Sequence, residues 1–104
     1  QSRIFNVIGM LSEAITAAGS ATDVVAVASK LEGMEYETPY GKVLMRAEDH
    51  QLIQPLYLSV YAKAGEGTVK YDAENSGVGF KTLKRIEAAA TAMPTTCQMK
   101  RPSK

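Results

Sequence analysis

The sequence predicts a mixed α/β chain, and three observations predict it. Apolar residues recur at helical spacing through the first 18 positions, a period of two takes over after Thr38-Pro39, and Gly-rich and acidic breakers interrupt the chain between Ala64 and Gly79. At 104 residues, 45% hydrophobic and 22% charged, the composition is that of a globular chain of one domain or less. A chain of this size hides only about 60 to 70% of its unfolded surface, so an uncovered apolar face leaves it little margin.

Ile4, Ile8, Leu11 and Ile15 follow one another at intervals of four, three and four, and Phe5 and Val7 widen the stripe. That spacing predicts an amphipathic helix from Arg3 to Ala18, with Gly19 as its stop. A second helix is expected from Asp23 to Glu32. Thr22 can cap it, Asp23 suits the positive end of its dipole, Val24, Ala28 and Leu31 share a face, and Gly33 stands past its end. Val24, Val25 and Val27 pull the other way, toward strand. The Gly-Ser turn between the two makes them a helical hairpin.

Beyond Pro39 the short run Lys42 to Arg46 reads as a strand. The clearest strand follows it, where Leu56, Leu58, Val60 and Ala62 alternate with Tyr57, Ser59, Tyr61 and Lys63. Pro55 precedes it, a position where a missing amide donor is tolerated. Ala64 to Gly79 reads as loop. Phe80 to Met93 is open on its residues alone: Phe80, Leu83, Ile86, Ala90 and Met93 fit a helical face, and the alanine run favours helix by propensity.

Charge excludes a nucleic-acid footprint. Gln1 to Tyr40 holds two basic against five acidic residues and Gly41 to Lys104 ten against six, but the basic residues are spread through strands instead of massed. Lys100, Arg101 and Lys104 form the single local cluster, either an anion contact or a solvated terminus. No run approaches the roughly 18 apolar residues of a membrane span, and the start is not a secretory signal.

No catalytic residue, cofactor or metal site is expected. His50 follows Glu48-Asp49, yet acid-base work needs a convergent nucleophile or metal, so Asp49, His50 and Gln51 are expected to cap backbone groups of a turn. One His and one Cys, far apart in sequence, are no zinc signature. Gly65, Gly67, Gly77 and Gly79 lack the Gly-Lys-Ser/Thr of a phosphate loop and read as turn residues. Tyr57 and Tyr61 share a strand face and read as packing, not as an aromatic ligand box. Glu35 and Glu37 around Tyr36 read as a solvated edge.

Several motifs occur together in one order: Phe5, Ala18-Gly19-Ser20, Leu31-Glu32-Gly33, Tyr36, Thr38-Pro39-Tyr40-Gly41, the run Arg46 to Gln51, Gly79-Phe80 and Pro94 to Cys97. In that order they resemble the C-terminal part of a type I periplasmic solute-binding protein of the branched-chain amino-acid ABC transporter family. The resemblance covers nearly the whole chain. It departs from the pattern at Glu87 and the alanine run, where a proline-containing turn is usual.

This resemblance implies a fragment of a two-lobed α/β protein whose lobes are joined by three crossing segments around a ligand cleft. Residues 1–53 would belong to the first lobe, with two helices and a short strand. Residues 54–104 would supply the third crossing, at Gln54, Pro55 and Leu56, then second-lobe strands and a C-terminal tail. Lys81 to Ile86 would be strand.

The implied function is capture without chemistry, in the periplasm, of a branched-chain or other amino acid or an aromatic carboxylate, for delivery to a membrane permease. The missing N-terminal part is the other implied partner, and the ligand contacts would lie upstream of Gln1. A ligand-sensing or interaction module on the same lobe fold is the alternative. In such a compartment Cys97 would be half of a bridge to an upstream cysteine or else a free buried thiol.

Overall fold

The helices and the first strands build one unit and a long ribbon projects from it, in a computed structural model that describes residues 2–102. Helices α1 (Ser2–Ala18) and α2 (Val24–Leu31) form the hairpin. Strands β1 (Glu35–Thr38), β2 (Gly41–Met45) and β3 (Leu52–Ile53) make an antiparallel sheet in that order, and β4 (Leu56–Lys63) pairs antiparallel with β5 (Val78–Ile86). One helical turn, α3 (Ala88–Thr91), precedes an extended tail.

Both helix ends close on glycines in the left-handed region, Gly19 at φ +68° and Gly33 at φ +72°, where a side chain would be strained. The second helix starts at Val24, one residue later than its sequence suggests. Asp23, not Thr22, therefore holds the cap position, and its Oδ1 accepts from the amide of Ala26 at 3.0 Å. Thr22 instead lies against the Ser20 hydroxyl.

The face of α1 that is buried within this chain is not its most apolar one. Asn6, Met10 and Ala14 are buried, at 3, 1 and 0% exposure, and share the small core with Val27, Val43 and Ile53. Ile4 and Ile8 remain 66% and 63% exposed, and Phe5 and Leu11 are exposed with them. The two stripes lie on one helix because residues 6, 10 and 14 are offset by two or three positions from 4, 8 and 11, which sets their centres about a third of a turn apart. The strongly apolar stripe thus faces outward, while the smaller, less apolar face approaches the sheet.

Close approach is what the small face allows. Tyr36 of β1 lays its ring across α1 at Gly9, where a Cβ would meet the phenol oxygen and stand 2.7 Å from Cζ. An interior helical Gly→Ala change ordinarily gains about 0.5–1 kcal/mol. Here Gly9→Ala is expected to lose about 1–3 kcal/mol, because the rigid ring must leave its place. Denaturant melts of the two forms check the sign; a gain in stability would show that Tyr36 yields freely.

Strand β1 lies where only a solvated edge was expected. Glu35 and Glu37 are exposed, alternating with half-buried Tyr36 and Thr38, and Glu35 forms an ion pair with Lys42 across the β1–β2 register. The segment 80–93 resolves into strand β5 and the single turn α3, so the helical reading of Phe80 to Ile86 is wrong. Pairing with β4 satisfies a row of backbone groups that the unsupported propensity of the alanine run does not outweigh.

Gly79 is likewise no turn residue. It lies inside β5, opposite Ala62, buried beneath the returning loop 64–77. Val69 is the one large apolar side chain of that loop to be buried, and its Cγ1 would stand 2.7 Å from a Cβ on Gly79. The ribbon has two exposed apolar faces, with Leu56, Leu58 and Val60 on one and Tyr57, Tyr61 and Phe80 on the other. The radius of gyration, 17.4 Å, exceeds the roughly 13 Å of a compact chain of this length.

Candidate functional site

Gln54 and Pro55, the residues between β3 and β4, carry the chain from the sheet to the ribbon. Pro55 is buried and has no amide donor to satisfy. The Gln54 carbonyl accepts from the Thr91 hydroxyl of α3 at 3.0 Å. Leu56 opens β4, pairs with Ile86 and is exposed. Gln54, Pro55 and Leu56 thus stand together where one sheet gives way to the other.

On one flank of this junction lies an aromatic cluster. The Tyr57 hydroxyl donates to the carbonyl of Tyr40 at 2.8 Å, and the two rings meet edge to face with centroids 6.2 Å apart. Arg85 lies over Tyr57, its guanidinium carbon 5.9 Å from the ring centroid, and its Nε is 3.2 Å from Glu87 Oε1. A cleft of about 390 Å³ is found on the other flank, between α2 and the tail, lined by Val25, Ser29, Glu32, His50, Met99 and Arg101.

That second flank is a polar knot built by the turn 46–51. Arg46 donates through Nε and Nη2 to both oxygens of Asp49, at 2.9 and 2.6 Å, and through Nη2 to Gln51 Oε1 at 2.6 Å. Its Nη1 reaches the Met93 carbonyl at 2.6 Å, 47 residues onward. Asp49 Oδ1 also accepts from the amide of Gln51 at 3.0 Å, and His50 sits at φ +55°. The Arg46 guanidinium, with a further contribution from Thr95, holds the Asp49 carboxyl well below the usual carboxylate range.

Glu32 closes the knot. Its Oε1 accepts from Arg101 Nε at 2.6 Å and lies 3.1 Å from His50 Nε2, and Arg101 also bonds the Ala47 carbonyl. Arg101 is the largest cause of a lowered Glu32 pKa, with His50 adding to it against the effect of burial. Of the residues expected to cap the turn, Asp49 does so. The side chains of His50 and Gln51 do not; they bind Glu32 and Arg46 instead.

Of the basic terminus, Lys100 and Arg101 are exposed, Arg101 pairing with Glu32 and the Ala47 carbonyl, and Lys104 lies outside the described residues. Cys97 is a free thiol, exposed in this chain. Tyr61 packs on Phe80 with centroids 4.7 Å apart, a cross-strand pair. The return of the tail to Arg46 was missed in the sequence, where an arginine three residues before an aspartate signals a local pair and says nothing of a carbonyl near the C-terminus.

Among the described residues no three His, Cys, Asp or Glu side chains converge as a metal requires. The polar groups of the knot satisfy one another, and their chemistry is that of holding chain segments together. Residues 3–66, more than half of the chain, match the sequence model of a family described as periplasmic binding protein. The chain belongs to that family.

The fold agrees. The closed form of the leucine-, isoleucine-, valine-, threonine- and alanine-binding protein from Brucella ovis superposes with a TM-score of 0.74 at 24% identity, over 91% of this chain and 25% of that one. This periplasmic binding protein chain therefore spans about a quarter of the length of the structure it matches. No curated protein sequence matches it significantly. No helix among the described residues is long and apolar enough to cross a membrane.

Proposed function

We propose that this chain is part of a periplasmic receptor that captures an amino acid or similar small carboxylate and delivers it to the permease of an ABC transporter. The family match over residues 3–66 carries the reading. It is supported by the likeness in fold to a protein named for binding leucine, isoleucine, valine, threonine and alanine. In this reading residues 1–53 belong to the first lobe and residues 54–104 to the third crossing, the second lobe and the tail. Gln54, Pro55 and Leu56 act as hinge, a short connection between two rigid elements that absorbs the change in backbone angle.

Capture then needs no bond-making chemistry. A cleft closing on a zwitterion replaces its water with fixed donors and acceptors, and apolar walls select the side chain. Those contacts belong to the part of the fold that this chain does not span. Calorimetry with leucine provides the test. The receptor containing this chain is expected to bind saturably, and the 104 residues alone are expected not to bind. A receptor silent to branched-chain and aromatic amino acids would overturn the solute class, and micromolar binding by the chain alone would overturn the placement of the contacts.

A further inference from the structure

Beside the crossing, the tip of the β1–β2 hairpin touches the ribbon, and the contact is built in an unusual way. Tyr57 and Arg85 are cross-strand partners only because β5 carries one extra residue: the register steps from Leu58↔Lys84 to Ser59↔Thr82 and leaves Leu83 over. Without that bulge, either Tyr57 would face Lys84 or Tyr61 would face Lys81. With it, Arg85 covers Tyr57 and Phe80 covers Tyr61 on the same face.

Gly41 completes the contact from the other sheet. It sits at φ +120°, and a Cβ there would stand 3.0 Å from Arg85 Nη2 and 3.5 Å from Pro55 Cγ. The guanidinium therefore occupies the space that a side chain on the hairpin tip would fill, directly against the crossing. The Tyr57 hydroxyl binds the carbonyl of the neighbouring tip residue, Tyr40. Three groups of the ribbon and crossing, Tyr57, Arg85 and Pro55, thus meet two consecutive residues of the tip. An open cleft of about 310 Å³, lined among others by Thr38, Tyr40, Gln54 and Tyr57, gives the tip room to move.

We propose that Tyr57 and Arg85 are positioning residues of lobe movement: with Tyr40 and Gly41 they form a latch that fixes the angle between the two sheets at the crossing. This rests on the reading of Gln54, Pro55 and Leu56 as a hinge. A two-residue connection leaves the sheets free to swing, and side contacts next to the axis select which angle is populated. The latch is reversible because it consists of one neutral hydrogen bond, one ring contact and one cation held over a ring, each weak by itself.

The test measures the angle directly. Spin labels at positions 42 and 63, one on each sheet, are placed in the receptor containing this chain in an otherwise cysteine-free background, and their distance distribution is recorded by pulsed electron resonance with and without leucine. The parent is expected to give a narrow distribution. Tyr57→Phe with Arg85→Gln is expected to broaden it about twofold, as loss of two weak restraints changes a population about 5- to 30-fold. Gly41→Ala, which presses on the Arg85 guanidinium without substituting a ribbon residue, should broaden it as well, and Arg85→Lys should restore part of the order.

A distribution unchanged in both the double variant and Gly41→Ala would overturn the latch. If instead the variants broaden while leucine shifts nothing in the parent, the latch stands and the proposed solute is wrong.

Discussion

Gly79→Ala is expected to destabilise the ribbon and its loop by about 3 kcal/mol, the upper range for forcing atoms into a filled site. The added methyl would meet the Tyr71 carbonyl oxygen and stand 2.7 Å from Val69 Cγ1. The oxygen belongs to backbone and cannot rotate away, and Val69 is buried, so the loop has to lift. That loop is held by its own bonds, among them Gly65 N to the Val69 carbonyl at 2.8 Å and Ala73 N to the Val78 carbonyl at 2.7 Å. Lifting it would strand these amides together.

Gly67→Ala supplies the control. Its φ of +58° strains a side chain, but nothing lies within 4 Å of the added Cβ, so the expected loss is only about 1 kcal/mol. Hydrogen exchange of the β4 and β5 amides separates the two: Gly79→Ala should speed exchange throughout the ribbon, and Gly67→Ala only near the turn. Equal effects would mean that backbone angle, not space, makes glycine necessary.

The parts of the fold legible in the sequence are those where the residue pattern and the local environment agree. Leu56 to Lys63 alternates because a strand alternates, and Gly19 and Gly33 end helices because αL costs them nothing. Phe80 to Ile86 misled because apolar residues at 80, 83 and 86 fit a helix, and they fit only because Leu83 is the extra residue of a bulge. Period cannot reveal a bulge that interrupts it.

For α1 the periodicity was right about helix, and the stripe that reveals the helix is largely exposed in this chain. Moment follows the most apolar stripe, whereas packing inside this chain follows Gly9, Met10 and Ala14, which let Tyr36 and the sheet come close. The Ile4, Phe5, Ile8 and Leu11 stripe answers to surroundings that these 104 residues do not provide. At the junction, the place of Pro55 before strand β4 was legible in the residues. The contacts of Arg85 and Arg46 were not, since both bring together residues distant in sequence.

Arg46→Met is expected to release the C-terminal tail. It preserves much of the aliphatic stem while removing the fork that joins Asp49, Gln51 and the Met93 carbonyl. No other described bond ties Met93 to the 46–51 turn, and beyond it the tail is held by Thr95 at Asp49 and by Arg101. Backbone order parameters of residues 93–102 should fall from near the rigid value of about 0.85 to below about 0.6. Thr91, bonded to Gln54 instead, should stay ordered. A tail that remains rigid in Arg46→Met would mean that the bonds of Thr95 and Arg101 hold it without the fork.

Acid should reproduce the release in the parent protein. The docked tail lowers the Glu32 carboxyl chiefly through Arg101, and through Thr95 it adds to the hold that Arg46, within the turn itself, already has on Asp49. A depressed carboxyl pKa favours the docked state fully above the free values, about 3.9 for Asp and 4.3 for Glu, and that advantage fades as pH falls through the docked-state values. Order parameters of the tail should therefore be flat from pH 7 to about 5 and decline below about 4. In Arg46→Met the largest cause of the Asp49 shift is gone while Thr95 remains, so the acid response should follow Glu32 more closely and be smaller. An equal response in both proteins would mean that the Arg46–Asp49 fork takes no part in the docking of the tail.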